Sequence, residues 1–139
     1  AMFDAIGSWK NTLIAVKKNR KWGYVDRENQ LKIGYRFDFA SDFEGHLAVV
    51  KVKESYGVID TSGVIRVSPD YHLLQLLDST HFVAKNDSNW GVLSLSGDTL
   101  LDFNYDRVEM VDEQMLRLQW ADNFGYYNLL TRKWIWRRD

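Results

Sequence analysis

Trp22-Gly23-Tyr24-Val25-Asp26 decides the fold, because it does not occur alone. The same order returns as Tyr56-Gly57-Val58-Ile59-Asp60, as Trp90-Gly91-Val92-Leu93-Ser94 and as Phe124-Gly125-Tyr126-Tyr127-Asn128. The step between successive copies is always 34 residues. A fixed period of this length marks a repeat architecture, in which each row is one supersecondary unit stacked on its neighbours.

Working outward from the glycine column, each row opens on an aromatic: Phe3, Phe37, Tyr71 and Tyr105. Asp4, Asp38 and Asp106 follow it, with His72 as the exception. Apolar columns come next, at Ile6, Ala40, Leu74 and Val108, and at Trp9, Phe43, Leu77 and Val111. Their spacing of three fits either a bulged strand or one helical turn. After a polar break, the pairs Ile14/Val16, Ala48/Val50, Phe82/Ala84 and Leu116/Leu118 lie two apart, which places each pair on one face of a strand. Lys17, Lys51, Lys85 and Gln119 end the other face, where solvent is expected.

A polar turn then leads into the aromatic-glycine strand. It is apolar at adjacent positions, and a strand apolar on both faces is covered on both. Its glycine leaves room for a backbone or a ring to approach closely. Asp26, Asp60, Ser94 and Asn128 begin the next turn, as residues whose side chains accept N–H groups two positions on. A short last strand is expected to hold Ile33, Val67, Leu101 and Ile135.

The fold class read from this pattern is all-β. It comprises four tandem antiparallel meander or hairpin repeats, as an open superhelical array or a small propeller-like ring. The rows are 3–36, 37–70, 71–104 and 105–138 of a single repeat domain, 1–139. Tetratricopeptide repeats share the length of 34, but they need two amphipathic helices per row. Turn residues interrupt this chain too often to leave room for them.

Lys21-Trp22-Gly23-Tyr24-Val25-Asp26, the turn near Asn29 and the aromatic-Asp step together resemble the WG (or KWG) β-repeat of bacterial proteins. Departures are Tyr56 and Phe124 in place of tryptophan, Ser94 and Asn128 in place of aspartate, and a single proline, Pro69. The fourth copy departs most, as a terminal capping repeat does. The resemblance implies a binding or scaffolding repeat with no catalytic residues.

Composition narrows the function classes. The 139 residues are 45% hydrophobic and 27% charged, values of an ordinary globular chain. The net charge of −1 argues against nucleic acid as the main partner. With no cysteine, disulfides and thiolate metal sites are excluded. No run of about 18 apolar residues suggests a membrane span, and no signal peptide is read at the start. If the chain is complete as given, with Ala1 ahead of a native Met2, the expectation is cytoplasmic.

No chemistry-bearing constellation emerges. His46, His72 and His81 fall in different columns without metal-ligand spacing and read as loop or surface residues. Ser62, Ser68, Ser94 and Ser96 sit at turns, and no nucleophile elbow or phosphate loop occurs. Asp42/Glu44 and Asp112/Glu113 lack the alternating oxygen ligands of a calcium loop. No catalytic residue, cofactor, metal or small-molecule ligand is therefore expected. Trp22, Tyr56, Trp90 and Phe124 recur at one position, which points to packing rather than recognition.

Candidate binding residues are those that break the repeat. Trp120, Trp134 and Trp136 stand where other rows hold smaller or charged residues, and Arg137 and Arg138 follow them. One reading is a terminal strand whose rings cover the last hydrophobic edge. The other is a partner gripped by stacking and cation–π contacts. The leading functional expectation is a non-enzymatic protein-interaction module, in its sharper form an immunity protein that binds a bacterial toxin. The alternative is a glycan-binding domain of the bacterial envelope.

Overall fold

The computed structural model describes residues 3–8, 12–78, 80–95 and 98–137. Trp9, Ser96 and Arg138 from the sequence reading lie outside them, as does the side chain of Arg137. Among the described residues the chain forms strands and turns, with no helix. The first sheet is β1 (Ala5–Ile6), β2 (Ile14–Lys18), β3 (Lys21–Val25) and β4 (Leu31–Phe37). The second is β5 (Phe39–Ala40), β6 (Leu47–Val52), β7 (Ser55–Asp60) and β8 (Ile65–Tyr71). The third is β9 (Leu73–Leu76), β10 (His81–Lys85), β11 (Trp90–Ser94) and β12 (Thr99–Tyr105). The fourth is β13 (Arg107–Met110), β14 (Met115–Trp120), β15 (Asn123–Asn128) and β16 (Lys133–Arg137). In each sheet the strands pair in chain order, as an antiparallel meander. The chain divides into two compact units, Ala1–Leu74 and Gln75–Asp139, with the boundary inside β9.

The opening segment of each row is a short strand, not a helical turn. Its aromatic belongs to the strand before it: Phe37 ends β4, Tyr71 ends β8 and Tyr105 ends β12. One bend residue, Asp38, His72 or Asp106, then starts the next sheet. The apolar spacing of three spans this change of strand, which removes its helical appearance. The outer strands β4, β8 and β12 run seven residues each, longer than the short strand expected.

The glycine column marks where the outer strand crowds the middle one. A Cβ on Gly23 would lie 2.6 Å from the Ile33 carbonyl oxygen, and one on Gly57 would lie 2.5 Å from that of Val67. At Gly91 both the Leu101 carbonyl and the Phe103 ring are 2.9 Å away. The sheet register shifts beside each of these glycines. The backbone thus bulges into the space a side chain would fill.

Both faces of the first three middle strands are buried, through Tyr24/Val25, Val58/Ile59 and Val92/Leu93. In the first unit Ala15, Tyr24, Ile33 and Phe37 pack on Ala40, Phe43, Val50 and Ile59. The Tyr24 hydroxyl donates to the Ser41 carbonyl at 2.6 Å, and burial, with the Asp42 charge, pushes that phenol's pKa up. In the second unit Val92 and Leu101 pack on Leu116, Leu118 and Tyr127. The WG aromatics Trp22, Tyr56, Trp90 and Phe124 are half-buried. Lys51 and Lys85 are half-exposed, and their ammonium groups lie over Tyr56 and Trp90, at 5.5 and 5.8 Å. In the fourth row Gln119 replaces this cation, and the Arg117 guanidinium covers Phe124 instead at 4.8 Å.

Candidate functional site: the aromatic end of the fourth sheet

The fourth row keeps the repeat's strands but not its register. Tyr24, Val58 and Val92 pair with Ile33, Val67 and Leu101. Tyr126, the next residue of that column, pairs with Trp136 rather than Ile135. β16 has slipped by one residue relative to the other outer strands. The turn before it supplies the cause. Asn29 and Gly63 take the left-handed conformation there, with φ of 65° and 82°. The residue in that column of the fourth row is Thr131, whose β-branch disfavours it. The left-handed position moves to Arg132, φ 58°, and the strand begins one residue later.

A slip of one exchanges the residues that face the core. Ile33, Val67 and Leu101 are 3%, 2% and 9% exposed, whereas Ile135 is 55% exposed. Ile135 lies in the last strand, as expected, but unlike its three column mates it is exposed. Trp136 takes the slot opposite Tyr126 and stacks on Phe124, centroids 5.1 Å apart, with 49% of its surface still exposed.

The three candidate tryptophans are thereby divided. Trp134 pairs with Tyr127 and packs on it at 5.4 Å, on the face that carries Leu116 and Leu118. Trp120 meets Trp134 at 5.6 Å, and Tyr105 meets both, at 5.7 and 6.2 Å. Trp120 and Trp134 are half-buried in this cluster, and Trp136 lies on the opposite face. Asn104, Tyr105, Trp120 and Trp134 bound a cavity of about 200 Å³. Sequence reasoning missed Asn104 and Tyr105, since the first looked unremarkable and the second fitted the repeat.

The repeated carboxylates act on turns. Asp4, Asp38 and Asp106 accept the backbone N–H of Asn19, Lys53 and Ala121, each 15 residues on. Those three acceptor-bound residues have φ of 53°, 59° and 51°, so the carboxylate caps a left-handed turn residue. His72 cannot do this, and the third row uses Asn86, which accepts from Ser88 and Asn89. Lys21 adds a 2.6 Å ion pair to Asp38, and this bond, with the Lys53 N–H, holds the Asp38 pKa low. Asp26 accepts from Glu28 and Gln30, and Asp60 from Ser62 and Val64, as the turn reading expected. The Gln30 N–H leads in holding Asp26 low. For Asp60, burial pulls upward but is outweighed by the Val64 and Ser62 N–H groups and Arg66.

His81 departs from the surface reading. It lies in β10 and is 7% exposed, with Nδ1 3.0 Å from both carboxylate oxygens of Asp78. Its Nε2 is buried without a hydrogen-bond partner. Among the described residues, no group of three or more His, Asp or Glu is placed to hold a metal ion.

The model of the WG containing repeat matches residues 1–22 and 22–54. The match covers residues 1–54, consistent with a WG repeat, and takes in the Trp22-Gly23 copy of the motif. A comparison with curated proteins gives no match. Among solved structures, a eukaryotic initiation factor superposes with a TM-score of 0.59 at 12% identity, over 97% of this chain and 42% of that one. The N-terminal domain of Nup159 superposes with a TM-score of 0.53 at 13% identity, over 100% of this chain and 44% of that one. The likeness is to propeller-like β structures and concerns the fold. The chain spans less than half the length of either.

Proposed function

We propose that this chain is a non-enzymatic protein-interaction module whose partner surface is the fourth sheet. The observation that carries the reading is the slip of β16, which leaves Ile135 exposed where the other rows bury Ile33, Val67 and Leu101, with Trp136 half-exposed beside it. Leu130, Met110 and Val111 are also exposed on this sheet and its turns. A half-exposed tryptophan is a common anchor of interaction surfaces. Arg137 and Arg138 add positive charge to the sequence there. In the sharper form of this reading the chain is an immunity protein, and the partner is a bacterial toxin.

The test is a crosslink from the surface itself. A photoreactive residue at Trp136 is expected to trap one protein in a stoichiometric complex. The same residue at Lys18 traps none. Trp136→Ala is expected to lose that complex with its melting temperature unchanged. Retention of the complex by Trp136→Ala would overturn the assignment. A toxin gene beside the chain's own gene supports the immunity form, and a partner without toxicity removes it. The glycan alternative draws on the aromatic cavity, and a glycan array without a hit removes it.

A further inference from the structure

We propose that the cavity bounded by Asn104, Tyr105, Trp120 and Trp134 receives an arginine side chain of the protein partner. This rests on the interaction-module reading and names the chemistry of one of its contacts. The repeat supplies an internal counterpart. Asn104 falls in the column of Arg36, Tyr105 in that of Phe37, Trp120 in that of Val52 and Trp134 in that of Arg66. In the first unit the chain provides the cation itself. The Arg36 guanidinium lies over the Phe37 ring, 5.0 Å from its centroid, and Nη2 donates to the Gly63 carbonyl at 2.5 Å.

In the second unit the ring is kept as Tyr105, but the arginine becomes a short neutral amide. Two tryptophans join it, at 5.7 and 6.2 Å from Tyr105, and about 200 Å³ remains between these groups. Trp120 stands nearly edge-to-face to Tyr105 and to Trp134, at 79° and 69°, so the rings wall the cavity from different directions. A guanidinium is planar, weakly hydrated and stacks on aromatic faces, of which tryptophan is the strongest. The Asn104 amide oxygen offers it an acceptor. A sugar ring needs several convergent polar side chains, and Asn104 is the one amide or charged residue among the four.

The probe is N-acetyl-arginine amide, with N-acetyl-citrulline amide as the neutral control of the same shape. Binding is followed by the indole N–H signals of Trp120 and Trp134. Arginine is expected to shift both signals saturably, and citrulline to bind at least about tenfold more weakly. Asn104→Arg is expected to stay folded and to lose the probe, because the introduced guanidinium takes the place Arg36 holds in the first unit. Trp120→Val, the second-row residue, is expected to lose it too. Equal binding of citrulline, undiminished binding by Asn104→Arg, no shift at either indole, or saturation of the same signals by a methyl glucoside each overturns the proposal. A partner still trapped through Trp136 after probe failure sinks this inference alone. Probe binding with no partner trapped sinks the module reading and, with it, the partner that would carry the arginine.

Discussion

Gly23 and Gly57 show how a single missing side chain sets a strand's path. A Cβ at either would overlap a backbone carbonyl oxygen, and neither neighbour is a flexible side-chain end. Gly23→Ala and Gly57→Ala are each expected to cost about 1–3 kcal/mol, read by urea unfolding. Trp90 is half-buried and covered by Lys85, so Trp90→Ala is expected to lower stability by about 1.5–3 kcal/mol in the same measurement. Asp106→Ala removes the cap on Ala121 and is expected to cost about 0.5–1.5 kcal/mol. Much of this scale was legible beforehand. The glycine column predicted close approach, and Asp26 and Asp60 predicted their turns. The Asp4/Asp38/Asp106 column was visible but mute, because the N–H donors it caps are 15 residues away and only the folded hairpin brings them together. His81 was misread for a similar reason: burial on β10 depends on packing, which residue identity does not reveal.

At the scale of elements, the turns carry a charge-dependent share of stability. Asp26, Asp38, Asp60 and Asp78 all have folded pKa values below the usual carboxylate range. Such groups contribute stability that is present above their unfolded pKa, about 3.9. It is lost as pH falls through the lower folded values. The melting temperature is therefore expected to hold from pH 7 to about 5 and to fall steadily between about 4 and 2. Asp26→Asn with Asp60→Asn keeps the side-chain acceptors, as Asn128 does naturally, and is expected to flatten that fall. The strand boundaries were less legible than the strands. Phe37, Tyr71 and Tyr105 looked like row openers because the period cannot say where a unit starts. The slip of β16 did have a signal, Thr131 in the column of Asn29 and Gly63. A turn preference becomes decisive only when the strand beyond it offers an acceptable second register, as Trp134 against Tyr127 and Trp120 does. Thr131→Asn with Trp134→Lys, restoring first-row chemistry, is expected to return Ile135 to the core side. Cross-strand contacts between Tyr126 and Ile135, seen by NMR, are the readout.

Taken whole, the chain is four similar sheets of which the last is unlike the rest. The all-β meander was readable because 34-residue periodicity repeats each packing constraint and so averages out local ambiguity. The candidate site was not, because Trp134 and Trp136 are two apart in sequence yet part to opposite faces at the bulge that leaves Ile135 unpaired. If Trp136 is the anchor, Trp136→Ala leaves stability within about 0.5 kcal/mol, as surface changes do, while Trp134→Ala loses about 3 kcal/mol or more. Calorimetry of the two variants separates these outcomes. The slip also has a genetic consequence. Where the strand beyond offers a second register, one codon in a turn tips which letters of that strand are read outward, as a reading frame determines which words a message spells. A new binding face is then reachable without altering any residue that touches the partner, while the first three repeats go on folding as before.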